Sequence, residues 1–226
     1  MIYAHGGSGF TSSSGARVGL FRQIGFAIVA FDAVKLHELD REHVNTRYPN
    51  SGKQDMIIPT MKGAYDYVLR RSDWDTERIF LYGASNGGRV VLCIPSLVKE
   101  PFRIRGILSE APASTGCSLP DDLDIPTRIL YGEEDDWGNS PNVPTLSFER
   151  GNPSMPTWVK SLRKKGRDIE LIFYEEAGHS FHSGRLHTKK RCFSWGTCST
   201  GNLGASSKAV KLYEREVKTF IDVNSK

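Results

Sequence analysis

Short apolar runs alternate along the chain with segments in which apolar residues recur at helical spacing. The runs predict strands at residues 2–4, 26–31, 79–82, 104–109, 127–131 and 169–174. Helices are predicted at 16–24, 58–69 and 90–98, through Trp158 and Leu162, and from Ser206 or Ser207 to the end. Pro95 is expected to kink or end its helix. The polar stretches 32–55 and 137–156 predict loops.

This alternation favours one α/β domain over residues 1–226, in which a mostly parallel central sheet is flanked by helices. The run at 26–31 is apolar throughout, which is typical of a parallel strand covered on both faces. In such sheets reactive groups gather at the carboxyl ends of the strands. We therefore expect the candidate catalytic residues in the loops at those ends.

Composition and charge narrow the class of protein. The 226 residues are 38% hydrophobic and 25% charged, with 30 basic and 26 acidic side chains. These values are ordinary for a globular protein. The basic runs 163–165 and 189–191 are interpreted as solvated surface, so no nucleic-acid partner is expected. No run approaches the ~20 apolar residues of a membrane span, and no signal peptide is recognisable. We therefore expect a cytoplasmic protein with no membrane partner.

The four cysteines do not form a disulfide framework. Cys93 falls in the predicted helix 90–98, and we expect it to be a buried free thiol. Cys192 and Cys198 flank a short loop and could pair if oxidised.

The segment Gly83-Ala84-Ser85-Asn86-Gly87 follows an apolar strand and precedes a helix. This order is the one that the nucleophile elbow of the Gly-x-Ser-x-Gly type requires. Small neighbours let a serine adopt the strained turn at the top of the strand. An incidental serine in a glycine-rich turn is the alternative interpretation, since short motifs produce false positives.

A serine nucleophile needs a base, and the base needs a carboxylate that holds its tautomer. His179 follows the last predicted strand and is the candidate base. Asp135 follows the strand at 127–131 and is the candidate acid, with Asp136 as second choice and Glu110 as third. The chain order Ser85, Asp135, His179 is that of α/β-hydrolases.

An oxyanion needs backbone donors, and the residue after the nucleophile, Asn86, supplies one. The loop that begins at His5 supplies the other, with Gly7 as first choice and Ser8 as second. His182, His187 and Cys192 match no zinc spacing, so we expect no metal and no cofactor. The glycines around Ser85 also do not fit the Gly-x-Gly-x-x-Gly pattern of dinucleotide sites.

At this point the chain resembles the α/β-hydrolases, in particular the small dienelactone-hydrolase-like esterases. The resemblance is carried by the His5 loop, "RQIGFAIVAFD", "RIFLYGASNGG", "RILYGEEDDW" and "EEAGHSFH", in that order. It implies an α/β-hydrolase fold with Ser85, Asp135 and His179 as the catalytic triad. Two departures are visible. Ser85 stands where true dienelactone hydrolases have cysteine, and the antiparallel strands that usually come first are not seen.

The expected activity is hydrolysis of small carboxylic esters with short acyl groups, through an acyl-enzyme. About 15 residues separate the strands at 104–109 and 127–131, too few for a cap domain. The same side chains could serve a thioesterase, an acyltransferase or a small-peptide hydrolase. A non-catalytic binding module on this fold is a further alternative, but it has no need of all three side chains at strand ends.

Overall fold

A six-stranded, entirely parallel sheet forms the centre of the protein. The computed structural model describes residues 1–38, 53–113, 116–136, 154–192 and 198–226. The strands of the central sheet are β1 (Ile2–Ala4), β2 (Val29–Ala30), β3 (Ile79–Ala84), β4 (Ile104–Glu110), β5 (Thr127–Gly132) and β6 (Ile169–Tyr174). Their order in space is β2-β1-β3-β4-β5-β6. The predicted fold class is thereby confirmed.

Six α-helices connect or follow these strands in the described residues. They are α1 (Ser12–Gln23), α2 (Ala33–Leu36), α3 (Lys53–Leu69), α4 (Asn86–Cys93), α5 (Met155–Lys164) and α6 (Ser207–Asn224). Two short 3₁₀ turns, Ile94–Ser96 and Pro101–Arg103, lie between α4 and β4. The change from α4 to a 3₁₀ turn occurs beside Pro95, as expected of a residue that cannot donate a backbone hydrogen bond.

Two hydrophobic layers pack on opposite faces of the sheet, because neighbouring strand residues point in opposite directions. Ile2, Leu81 and Ile107 belong to the layer that also holds residues of α3, α4 and α5. Tyr82 and Leu108 belong to the other, with residues of α1 and α6. The resulting three-layer arrangement buries both faces of the central strands.

The parallel register brings the carboxyl ends of the central strands together. Ala4 at the end of β1 lies opposite Gly83 in β3, and Ala84 lies opposite Glu110 at the end of β4. The segments that follow these strands therefore start side by side. They are the His5 loop, the turn at Ser85 and the loop after Glu110.

The edge of the sheet departs from the sequence prediction. The run 26–31 gives only a two-residue strand, β2, because it lies at the edge and is paired on one side by β1. Residues 26–30 are half-buried or exposed and Phe31 is buried, so the expectation that this strand is covered on both faces was wrong. The predicted loop 32–55 contains α2 and the start of α3, while residues 39–52 lie outside the described part.

A two-stranded antiparallel hairpin, β7 (His187–Cys192) and β8 (Cys198–Leu203), follows the central sheet and was not predicted. Lys189 and Lys190 are exposed, which agrees with their interpretation as solvated surface. Cys192 and Cys198 are opposite each other in the backbone register. Of the predicted loop 137–156, residues 137–153 are not described, and Met155 and Pro156 belong to α5.

The expectation of a free thiol at Cys93 was wrong, because Cys93 forms a disulfide with Cys117. The two Cα atoms are 6.2 Å apart, and 24 positions separate the residues in sequence. The bond joins the end of α4 to the loop after β4. The sequence does not predict this pairing, because nothing local in it places the loop of Cys117 beside α4. Among the described helices, none has the length and apolar character needed to cross a bilayer.

We expect reduction of the Cys93–Cys117 disulfide to lower stability by about 3 kcal/mol, the chain-entropy value for a closed loop of this size. At about 2–4 °C per kcal/mol, Tm should fall by roughly 10 °C. Calorimetry of the wild-type protein and of a Cys93→Ala/Cys117→Ala variant, each with and without reductant, measures this difference. A reductant effect of equal size in the double variant would assign the loss to another bond.

Candidate active site

Ser85 occupies a strained turn between β3 and α4. Its φ is 55° and its ψ is −117°, a conformation that costs a non-glycine residue on the order of 1–3 kcal/mol. Backbone bonds on both sides hold it: the Ser85 N–H donates to the Glu110 carbonyl at 2.9 Å, and the Ala113 N–H donates to the Ser85 carbonyl at 3.0 Å. The geometry is that of a nucleophile elbow.

Close backbone packing explains why this turn needs glycine at Gly83. A Cβ there would lie 2.1 Å from the Gly87 carbonyl oxygen, a distance that no packed structure tolerates. The start of α4 therefore presses directly on the end of β3.

The His5 loop lies against the elbow. A Cβ built on Gly6 would be 3.3 Å from the Ser85 Cβ, so the loop passes close beside the serine. The Gly9 N–H donates to the Gly6 carbonyl at 3.2 Å, which places Gly7 and Ser8 at the centre of a turn. The two candidate oxyanion donors from this loop, Gly7 and Ser8, thus follow directly after the residue that lies beside Ser85.

His5 fixes the loop and was not assigned a role from the sequence. Its buried ring accepts a hydrogen bond from the Ala33 N–H at Nε2 (2.8 Å) and therefore donates from Nδ1 to the Gly6 carbonyl (2.6 Å). Burial lowers the pKa of His5. A neutral imidazole is the form that can accept at one nitrogen while donating at the other. His5 therefore connects the loop to the start of α2.

Asn86 begins α4, where backbone N–H groups have no partner within the helix. Its buried side chain accepts a hydrogen bond from Gln54 Nε2 at 2.7 Å. Gln54 belongs to the first turn of α3 and lies within the stretch 32–55, for which the sequence predicts a loop. The start of α4 is therefore held by α3, through a contact that no local pattern indicates.

His179 and Asp135 form a hydrogen-bonded pair. His179 Nδ1 lies 2.9 Å from Asp135 Oδ2, and the side chains are 14% and 6% exposed. The hairpin holds the backbone of His179: its N–H donates to the Asn202 carbonyl at 2.8 Å, and its carbonyl accepts from the Gly204 N–H at 3.1 Å. The structure thus brings two of the predicted site residues into direct contact.

The electrostatics of this pair suit a histidine base. Burial disfavours the imidazolium, but the charge of Asp135 and its hydrogen bond outweigh burial and raise the pKa of His179 above its ordinary 6.5. An ionised carboxylate only accepts hydrogen bonds, so Nδ1 carries the proton and Nε2 has the lone pair. This is the tautomer that a serine hydrolase uses.

The other two acid candidates have different partners. Asp136 is exposed, and its Oδ1 accepts from the Asn202 backbone N–H at 2.7 Å. Glu110 is buried and forms an ion pair with Arg17, which donates from Nε to Oε2 at 2.8 Å. Asp135 is therefore the acid that contacts His179. Arg17 was missed in the sequence because it lies 93 positions from Glu110.

Metal-binding geometry is not found in the described residues, where no group of three or more His, Cys, Asp or Glu side chains could hold an ion. His182 is half-buried and packs edge-on against Tyr213, whereas His187 is exposed. The two rings therefore have different environments.

Solved structures with the same fold are proteins of the dienelactone hydrolase and esterase type. A protein from Klebsiella pneumoniae assigned as a dienelactone hydrolase is 14% identical, with TM-score 0.68, over 98% of this chain and 85% of that one. A dienelactone hydrolase from Anabaena variabilis is 16% identical, with TM-score 0.63, over 99% and 85%. An esterase from Pyrococcus furiosus is 14% identical, with TM-score 0.61, over 99% and 80%.

Sequence comparison adds no closer relationship, since no protein-family model and no curated protein matches this chain. The structural likeness extends over almost the whole chain in each of the three cases. At identities this low the likeness defines the architecture. The chain has the α/β-hydrolase fold.

Proposed function

We propose that this protein is a serine hydrolase that cleaves carboxylic esters of small, short-acyl substrates. Ser85 is the nucleophile, His179 the general base and then acid, and Asp135 the orienting acid. The observation that carries the proposal is the strained Ser85 elbow together with the buried Asp135–His179 pair in the loops at the same edge of one parallel sheet. The esterases and dienelactone hydrolases with this fold support it.

The proposed reaction has two halves. Ser85 Oγ attacks the ester carbonyl while His179 Nε2 takes the hydroxyl proton, and the imidazolium then returns that proton to the departing alcohol. Water attacks the acyl-enzyme with His179 again as base, and the imidazolium returns that proton to Ser85 Oγ as the bond to the acyl group breaks and the carboxylic acid leaves. Asp135 stabilises the imidazolium in both halves. The reaction needs no cofactor.

Negative charge on the carbonyl oxygen would be stabilised by backbone N–H groups. The Asn86 N–H lies at the start of α4, where the helix dipole favours negative charge. The Gly7 N–H from the His5 loop is the proposed second donor. The position of Gly6 close beside Ser85 supports this assignment, because it places the loop next to the proposed nucleophile.

A small ester is the proposed substrate, with no nucleic acid and no membrane as partner. Only 16 residues connect β4 to β5, too few for a cap domain that could enclose a long acyl chain.

The disulfide bears on the compartment of the protein, for which the sequence predicts the cytoplasm. Disulfides are rare in the cytoplasm, so the Cys93–Cys117 bond favours an oxidising compartment.

The nucleophile is tested with a fluorophosphonate probe, which should label Ser85 covalently. Ser85→Ala should abolish labelling and reduce ester turnover by up to about 10⁶-fold, the loss known for a serine protease without its serine. Mass spectrometry of the labelled peptide and a p-nitrophenyl acetate assay measure these effects. Ser161→Ala, a remote serine in α5, is the matched control. Substantial hydrolysis by Ser85→Ala would refute the proposal.

Activity should rise with pH through an apparent pKa above 6.5, because only neutral His179 can accept the serine proton. Asp135→Asn removes the charge that raises this pKa, so the pKa of His179 should fall and turnover should drop by about 10⁴-fold. Asp136→Asn is the control and should be mild, since its amide oxygen can still accept from Asn202. A pH-rate profile of the wild type and NMR titration of His179 in each variant measure these changes. A flat rate between pH 5 and 8 would contradict a histidine base.

Substrate size is tested with p-nitrophenyl esters of graded chain length. Each buried methylene contributes about 0.8 kcal/mol, so an open site should lose discrimination after a few carbons. We expect the highest kcat/KM between acetate and about hexanoate, and no rate increase when the substrate forms droplets. Interfacial activation on long-chain triglycerides would show that a lid exists.

A further inference from the structure

A buried polar cluster lies under the candidate active site and has no part in the proposed chemistry. It consists of Arg17 from α1, Tyr82 from β3, Glu110 from β4 and Tyr213 from α6. The Arg17 and Glu110 side chains are 2% and 1% exposed, so both charges are removed from water. Four elements that are distant in sequence meet in this cluster, which we call the Arg17 cluster.

Hydrogen bonds satisfy the carboxylate of Glu110 on several sides. Arg17 donates to it from Nε at 2.8 Å and also from Nη2, while Tyr82 donates to Oε2 and Tyr213 does so at 3.2 Å. Burial favours the protonated acid, but the charge and hydrogen bonds of Arg17 outweigh it and lower the pKa of Glu110. Burial also raises the pKa of both tyrosines, so their hydroxyls stay protonated and can donate. The negative charge of Glu110 is thus balanced by Arg17, and its carboxylate is held by the hydrogen bonds of the cluster.

A side-chain hydrogen bond connects the cluster to the residue after the candidate base. Arg17 Nη2 donates to Ser180 Oγ at 2.9 Å. Ser180 has a φ of 63°, in the left-handed region that a non-glycine residue rarely adopts. Such a conformation persists where the surroundings hold it. The guanidinium of Arg17 supplies that restraint on the Ser180 side chain.

Glu110 also contacts the candidate nucleophile through its backbone, since its carbonyl accepts from the Ser85 N–H at 2.9 Å. The same residue therefore holds Ser85 by its main chain and, through Arg17 and Ser180, the segment of His179 by its side chain. The Arg17 cluster joins the two residues whose relative position decides proton transfer.

We propose that Arg17 is a positioning residue that holds His179 in line with Ser85 through the Ser180 hydroxyl. This inference rests on the proposed function, because it assigns His179 the part of the base. Arg17 touches no reacting atom in this scheme. Its contribution is geometric, and displacement of a catalytic group by about 1 Å can reduce rate by about 10²-fold.

Ser180→Ala is the first test, because it removes the acceptor and leaves the Arg17–Glu110 pair intact. We expect kcat on p-nitrophenyl acetate to fall at least about tenfold, with KM and the pKa of the pH-rate profile unchanged, since no charge is altered. Tm should stay close to the wild-type value. Ser180→Ala also removes the hydrogen bond that the Ser183 hydroxyl donates to Ser180 Oγ at 2.9 Å. Ser183→Ala, which removes only that bond, and Ser161→Ala, which removes a 2.8 Å bond in α5, should both keep full activity. An equal loss in Ser183→Ala would contradict the route through Arg17. Wild-type kcat in Ser180→Ala, or an equal loss in Ser161→Ala, overturns the proposal.

Ser180→Gly separates the hydrogen bond from the backbone conformation, because glycine adopts a positive φ without cost. We expect the same loss of kcat as in Ser180→Ala; recovery to the wild-type level would mean that the hydroxyl is not needed. Arg17→Lys keeps the charge beside Glu110 but loses the forked geometry. If Arg17 acts through Ser180, the Arg17→Lys/Ser180→Ala double variant should be no slower than the slower single variant. Fully additive losses would contradict this route.

A readout that needs no substrate keeps this test apart from that of the proposed function. Hydrogen exchange of the His179 Nδ1 proton, followed by NMR, should accelerate at least about tenfold in Ser180→Ala as the ring loses its fixed position. If wild-type turnover does not depend on Ser85, the proposed function fails, while this measurement still decides whether Arg17 holds the ring. Unchanged exchange in Ser180→Ala rejects the positioning role on its own.

Discussion

The strained backbone of Ser85 is the constraint on which the arrangement of the site depends. A positive φ at a serine is maintained because Glu110 and Ala113 bind its two peptide groups and Gly83 lets α4 approach β3 without a clash. The register of β3 against β4 sets the first of these contacts. The cost of the turn is offset by packing in the strands around it, as expected for strain at a functional site.

Local patterns were sufficient to predict the parts of the protein that are governed by local physics. Buried parallel strands such as β3 and β5 are short apolar runs bounded by turn residues, and this signal does not depend on distant neighbours. The elbow was predicted because strand, small residues and helix follow one another within a few positions. The order of the strands then placed Ser85, Asp135 and His179 at one edge of the sheet, and the structure pairs the last two.

Contacts between distant segments could not be predicted in this way. Arg17 lies in α1, whereas its partners Glu110 and Ser180 lie 93 and 163 positions away in the sequence. The Cys93–Cys117 disulfide and the hydrogen bond from Gln54 to Asn86 can likewise be predicted only when the positions of the loops are known. The edge strand β2 was predicted too long for a related reason, since burial of an apolar run depends on which strands flank it.

Asp135 and Asp136 illustrate what separates the proposed orienting acid from a surface carboxylate. The two residues have the same side chain and adjacent positions, so a motif selects the loop but cannot select between them. Folding buries Asp135 beside His179 and leaves Asp136 exposed beside a backbone N–H of the hairpin. Because charges attract more strongly where water is excluded, the buried carboxylate is the one able to stabilise an imidazolium. The choice between them is therefore made by the turn of the backbone after β5, in which the Asp135 N–H donates to the Gly132 carbonyl at 3.1 Å.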